Sequence, residues 1–495
     1  MHVGLVAAAL VSAARRTCVP ALVAESAARF DADVVVVGGG AAGLMSAISA
    51  ARSQATVILL ESGTTPLRKV RISGGGRCNV MHDASTWDNR DGRSLLMQRY
   101  PRGAAELTGA LTKRFSPLDT AAWFEAEGVE LKCEADGRVF PSTDDSATIV
   151  DALLGAADRA GVQLKLGARV ARVAESTEAG GFVVSLKGQD GTLDALRSRA
   201  LVLATGSASH DLAAALGHEI ATLTPSLFSF RLPPGGMLDA SLAGVSVPDV
   251  ELTLVPAPAP STTADPSPQP AGRARRRART PRGRTISARG PLLVTHRGVS
   301  GPAALKLSAF GALELSACGY RGHLKLNLVP ERSRAEVVEA LAAFRARTPL
   351  KAVANANPFA LPKRLWAALV VGPSAASAAS DAPADADAAH AVDPATPWQQ
   401  LSKRDLRALE ARTCCMLLPF SGKDSNKDEF VTAGGVDWAG VDATRMESKH
   451  VRGLFFAGEV LNVDGVTGGH NFQSCWTTGW VSGSAAAEYR SKGAQ

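Results

Sequence analysis

Cysteine is sparse in this sequence, and none of it is paired by spacing. Cys18, Cys78, Cys133, Cys318, Cys414, Cys415 and Cys475 are scattered over 495 positions, and no two form a CxxC step. A disulfide framework or a thiolate zinc site would need such a pattern, so no metal is expected and a reducing compartment is. Long apolar runs are absent too. None approaches the about eighteen residues of a membrane helix, which predicts a soluble protein without a membrane partner. Hydrophobic residues make up 46% of the chain and charged residues 20%, an ordinary globular balance with room for more than one domain.

Acidic residues are missing from one stretch. Between Pro266 and Arg289 stand Arg273, Arg275, Arg276, Arg277, Arg279, Arg282, Arg284 and Arg289, with no Asp or Glu. These eight arginines carry the whole of the net charge of +7. The basicity therefore belongs to one tract and not to a nucleic-acid-binding face, and nucleic acid is not expected as a partner.

Large apolar side chains are missing from two segments. Residues 256–288 mix Pro, Ser, Ala and Arg, and residues 373–396 are Ala-rich and weakly acidic. Neither buries enough surface to offset its ordering entropy, so both are expected as disordered loops. Residues 1–30 are Ala/Val-rich, with Arg15, Arg16 and Arg29 against Glu25. That composition allows a plastid or mitochondrial transit peptide, a secretory signal or a loose tail, and otherwise a cytoplasmic chain.

What is present begins with "DADVVVVGGGAAGLMSAISAARSQATVILLES". Val34–Val37 suits a buried parallel strand. Gly38, Gly40 and Gly43 then spell GxGxxG ahead of a helical pattern, and a second apolar strand ends at Glu61, 23 residues after Gly38. Gly38 permits the tight turn, Gly40 lets backbone approach a pyrophosphate, and Gly43 lets helix and strand pack closely. Glu61 stands where an adenosine ribose needs an acceptor. The fingerprint alone serves NAD and FAD equally.

Three further segments select FAD. "RALVLATGSAS" is a buried strand stopping at Thr205–Gly206, where the chain passes under a dinucleotide. "GVQLKLGARVARV" carries Val170, whose backbone can pair with an adenine edge. "GLFFAGEVLNVDGVTGGHNFQSCWTTGW" ends a strand at Gly458–Glu459, then turns through Gly465, Gly468 and Gly469 into a helix opened by Asn471. Amides at such a helix start stabilise negative charge on reduced flavin. A second glycine run, "ISGGGRCNV", follows Arg68 and Lys69, which can offset pyrophosphate charge. Gly74, Gly75 and Gly76 bring backbone against the ribityl chain or the isoalloxazine, with Arg77 at its edge. Both glycine runs thus serve one cofactor.

Several blocks carry a resemblance: "RKVRISGGGRCNV", "GRVFPSTDDSATIVDALL", "GHEIATLTPSL", "GPLLVTHRGVSGPAALKLS", "VTAGGVD" and "FAGEVLNVDGVTGGHNFQ". In this order they resemble the BaiN-like flavoproteins, also labelled the aminoacetone-oxidase family of FAD-binding enzymes or NAD(P)/FAD-dependent oxidoreductases. The resemblance implies an α/β chain with a discontinuous, glutathione-reductase-like FAD-binding Rossmann domain. A β-barrel-like domain with a small helical portion interrupts it. The expected division is an FAD-binding part at 31–224, barrel at 225–330, helical portion and return to the barrel at 331–427, and a second FAD-binding part at 428–495. For FAD contacts the resemblance points to Ala42, Glu61, Arg68, Lys69, Gly74–Arg77, Val170, Glu459 and the Gly469–Asn471 turn. The sequence departs from the family pattern at Asn462, where an acid is common, and at His470, where an aromatic residue is common.

These readings imply an oxidoreductase that moves an electron pair between a small organic substrate and FAD. One complete fingerprint is present, so NAD(P)H is expected only as a transient donor against the flavin. The candidate acid/base residues are His296 and His470. Two alternatives follow from the labels and the charge: an oxygen-using amine or aminoketone oxidase, and an RNA-associated protein with structural FAD.

Overall fold

A computed structural model of the chain describes residues 30–86, 92–176, 180–188, 193–256, 285–373, 387–424 and 431–492. The β-branched run of Ala32–Val37 forms the central strand of a nine-stranded sheet. It pairs in parallel with Val57–Leu60 on one side and with the end of Leu193–Leu203 on the other. The first neighbour leads on to Gln163–Lys165, the second to Leu454–Phe456. Chain order therefore reverses at Ala32–Val37, and a ligand crevice is expected beyond the carboxyl ends of the strands there. Val170–Glu175 and Phe182–Lys187 add an antiparallel fringe to the long strand Leu193–Leu203.

Two apolar layers cover the sheet. One holds Leu44, Ile48, Phe124 and Trp476; the other holds Tyr100, Leu107, Phe456 and Val481. In the first layer the helix Ala41–Arg52 lies against the last helix, His470–Lys492, with almost nothing between their backbones. A Cβ at Gly479 would stand 2.6 Å from the Ala42 carbonyl oxygen, and one at Gly483 would collide with that of Ser46. Where the helices meet, the Oγ atoms of Ser46 and Ser482 bond at 2.9 Å and Ser49 Oγ donates to Trp480 O. Small residues at both surfaces are what allow this approach.

An antiparallel ribbon of Ile220–Ser226 and Val431–Val436 leads out of the sheet domain and back. Between these strands lies the insertion. Seven antiparallel strands run in the order Met416–Phe420, Gly322–Asn327, Ser246–Pro256, Ser287–Val294, Gly298–Ser300, Phe230–Arg231 and Gly422–Lys423. The first and last members of that order are separated in sequence only by Ser421, so the sheet curls back on itself as a barrel does. Leu252, Leu292, Leu326 and Phe420 fill it, in a core separate from the two layers above. Capping boxes at Ser333 and Ser402 start the insertion's helices Arg334–Arg347 and Lys403–Cys414.

The ends of both expected loops are structured. Pro256 closes one strand, Ser287 opens the next, and Arg289 is an ordinary strand residue paired with Asp249 at 2.6 Å. The rest of the arginine tract lies outside the described residues. Residues 387–396 of the Ala-rich segment are packed, because Arg412 recruits them. Its guanidinium is almost wholly buried and donates to the carbonyls of Ala388 and His390, and to Leu369 and Val370. Asp405 adds a bond to the His390 ring at 2.7 Å. Composition alone could not reveal an anchor that lies beyond the segment. Residues 1–29 and the expected return point at Asp428 also lie outside the described residues. Among those described, no helix is long and apolar enough to cross a membrane.

Candidate functional site

The sheet reversal does open a crevice. A cavity of about 910 Å³ begins at Val37–Ala42 and runs along Glu61, Arg68, Lys69, Gly74 and Gly75. It passes Val170 and Thr205–Gly206 and reaches Glu459, Gly469 and Asn471. Segments far apart in sequence thus become the wall of one space.

At its start the turn at Gly38 has φ +112°, and a Cβ there would lie within 2.8 Å of the Ala204 carbonyl carbon. Glu61 is held by two amides: Oε2 accepts from Gly39 N at 2.7 Å and Oε1 from Gly63 N at 2.6 Å. In the middle, Lys69 reaches Glu459 at 2.5 Å. Burial opposes charge on Lys69, yet Glu459 holds its ammonium pKa above the ordinary value. The far end rests on the Gly468–Gly469 turn, where Asn471 fastens the loop by bonding both the N–H and the carbonyl of Gly465, at 2.8 and 2.9 Å.

These walls fit FAD. The space above Gly40 is open, since a Cβ there would meet nothing within 4 Å. The helix start behind it points unpaired amides at that space. Thr205 Oγ1 is buried at the lining without a partner, a polar atom that a ligand can satisfy.

Other expected residues stand elsewhere. Gly43 is not at the lining; a Cβ there would strike the Gly38 carbonyl, so its work is close packing. Gly458 likewise faces Ala42 and Cys475. Gly76 and Arg77 turn away from the cavity because Arg77 finds acids outside it. Its guanidinium pairs with Glu134 at 2.8 Å and Asp144 at 3.2 Å and lies 3.9 Å above the Phe140 ring. His296 sits exposed in the turn between Ser287–Val294 and Gly298–Ser300. His470 is buried behind the Gly468–Gly469 turn, with Nε2 3.0 Å from Arg99. Burial, followed by the charges of Arg99, His82 and Lys306, holds its imidazole well below the usual value, so it is neutral. Neither histidine reaches the cavity. The sequence reading missed Arg138, Arg169, Leu305 and Cys475, which do line it. Only Arg169 had a signal, its place beside Val170.

The model of the HI0933-like protein Rossmann domain matches residues 32–485, a span that takes in both halves of this site. The chain belongs to that family. It is an FAD-dependent oxidoreductase. Among its relatives, the ribosomal RNA dihydrouridine synthase of Escherichia coli (strain K12) is 28% identical, over 92% of this chain and 97% of that one. The 3-dehydro-bile acid delta(4,6)-reductase of Clostridium scindens is 26% identical, over 92% and 98%. A solved 3-ketosteroid-delta4-(5alpha)-dehydrogenase from Rhodococcus jostii RHA1 overlaps 93% of this chain and 98% of that one, at 17% identity and a TM-score of 0.48.

Within this HI0933-like chain the thiols near the site are inert. Burial pushes Cys78 and Cys475 up to about 12, so neither is a thiolate at neutral pH. Iodoacetamide at pH 8 is expected to label the exposed Cys133 and leave Cys78 and Cys475 unmodified, as read by peptide mass spectrometry of the native protein.

Proposed function

We propose that this flavoenzyme is a reductase of carbon–carbon double bonds conjugated to a carbonyl, with NAD(P)H as transient donor and a uracil ring of ribosomal RNA as acceptor. The observation that carries the reading is the state of the lining carboxylates. Among the described residues only Glu61 and Glu459 line the cavity as acids. The first is bonded to two backbone amides and the second to Lys69. Glu459 is already matched by Lys69, and the Glu61 oxygens are engaged by Gly39 and Gly63 at the opposite end of the cavity. Neither is placed to receive a protonated amine beside Gly468–Gly469, and Phe472 is the only aromatic ring among the described lining residues to hold a cation by its face. An amine or aminoketone oxidase is therefore the weaker reading. Arg68, Lys69, Arg138 and Arg169 suit an electron-rich, anionic ligand instead.

The names of two relatives support the same chemistry, since dihydrouridine formation and a delta(4,6)-reduction both add two electrons to a double bond. FAD, when bound, supplies the electron pair to the acceptor. The chain's own residues do the rest. Glu61 fixes the loop at one end, Asn471 fixes the Gly465–Gly469 loop at the other, and Lys69 neutralises Glu459 between them. The expectation of a small substrate without nucleic acid is replaced in this reading by one base of a larger RNA.

The test is an anaerobic titration with NADPH and then NADH, followed by addition of ribosomal RNA lacking modification. Bleaching of the visible flavin band by a nicotinamide, and its return with RNA that gains two hydrogens per turnover, is expected. A band untouched by either nicotinamide but bleached by aminoketones would overturn the reading. Reoxidation by a conjugated ketone but not by RNA would move the substrate to the second relative's class.

A further inference from the structure

Several basic residues at or near the cavity have acidic partners. Lys69 pairs with Glu459, Arg102 with Asp464, and Arg138 with Glu134 and Asp136. Arg99 and Lys306 do not. Arg99 ends the helix Gly92–Arg99 and Lys306 lies on Pro302–Phe310 of the insertion, so the two halves of the molecule each contribute one cation. Both are half-buried, and among the described residues neither has a carboxylate within ion-pair distance. The rings beside Arg99 supply no counter-charge, since burial holds both His470 and His82 below the usual imidazole value. Arg99 Nη1 is 3.0 Å from the His470 ring, which stands 4.9 Å from that of His82. Charge on Arg99 disfavours charge on Lys306 and burial disfavours both.

The cluster adjoins the cavity. Leu305, next to Lys306, lines it, and so does Val466, whose amide donates to the Arg99 carbonyl at 2.8 Å. Like charges brought together without a counter-ion leave the site short of an anion. A planar guanidinium fork beside a compact ammonium suits the oxygens of a tetrahedral oxyanion.

We propose that Arg99 and Lys306 form a phosphate-binding subsite at the edge of the cavity, holding the phosphodiester next to the base that enters. This rests on the uracil reading for the identity of the base, but not for the phosphate. The subsite bonds the phosphate across the junction of the two domains, at the cavity edge marked by Leu305 and Val466.

The experiment measures equilibrium binding of uridine, uridine 3′-monophosphate and ribose 5-phosphate to the FAD-loaded protein, with Arg99→Met, Lys306→Met and Lys306→Arg beside the unaltered chain. The monophosphate is expected to bind about tenfold more tightly than uridine. Either Met variant should shrink that ratio below about threefold, and Lys306→Arg should keep most of it. With a short uridine-containing RNA, each Met variant should also lower the slope of log affinity against log salt by about 0.7. Equal binding of uridine and its monophosphate by the unaltered chain would overturn the subsite. So would a ratio and salt slope that both Met variants leave intact, even with RNA reduced normally, which would spare the uracil reading. Ribose 5-phosphate bound through Arg99 and Lys306, with no reduction of uridine in any form, would uphold the subsite and sink the uracil reading.

Discussion

Arg102→Met is expected to destabilise the fold by about 3–5 kcal/mol at neutral pH, the cost of leaving a buried charge unpaired. Its partner Asp464 has no solvent exposure and also accepts from Ser226 Oγ at 2.8 Å. The Arg102 guanidinium bridges the carboxylate to the Ala309 carbonyl at 2.8 Å, in the last turn of the insertion's helix Pro302–Phe310. One side chain therefore ties the sheet domain to the barrel. The deficit has a definite pH dependence. Burial raises the Asp464 carboxyl above the usual range, against the downward pull of Arg102 and Ser226. A carboxyl whose folded pKa exceeds its unfolded one binds more protons when folded, so its contribution improves as pH falls through the folded value toward the unfolded one. Removing Arg102 lifts that folded value further. The gap in denaturant midpoint between variant and parent should thus be widest above neutrality and narrow on acidification. A gap that widened toward acid would mean that Asp464 is not the group left stranded.

Gly43→Val is expected to abolish FAD retention, lowering flavin absorbance per protein by at least about tenfold. The new side chain would enter the carbonyl of Gly38 and approach the Ala204 Cβ, moving the loop on which a pyrophosphate is expected to rest. Gly40→Ala should behave differently. Its φ of −83° is ordinary for any residue and its Cβ meets no protein atom. The apoprotein should melt within about 1 °C of the parent, while FAD affinity falls about tenfold, because the methyl occupies cofactor space. If Gly40→Ala bound FAD as well as the parent, the cofactor would not lie over that amide.

The crevice is legible in the sequence because its parts are local. Strand, glycine turn, helix and Glu61 follow one another within thirty-odd residues, and each obeys its own short-range physics. The Gly469–Asn471 turn was legible for the same reason. The place of Arg77 outside the cavity lining is not legible in its sequence neighbours, because the charges that hold it, Glu134 and Asp144, come from a distant segment. His470 adjoins the turn in sequence, yet its ring lies outside the cavity lining, bonded to Arg99. The cluster at Arg99 and Lys306 left no trace in the sequence, since it exists only once the insertion docks on the sheet domain. Composition likewise misjudged residues 387–396, whose order depends on a buried Arg412 that lies farther along the chain.

The close approach of the first and last helices has a consequence for synthesis. Ser46 and Ser482 bond across a sequence separation of 436 residues. A nascent chain has made its fingerprint loop long before the partner helix exists. Until then the face of Ala41–Arg52 that takes Gly479 and Gly483 stays uncovered, and the far wall of the crevice is missing. The barrel, closed within the insertion, has no such wait. Contacts this distant in sequence form late and slowly. The emerging polypeptide should therefore acquire a folded barrel first and gain the ability to capture flavin only when the final helix has left the ribosome.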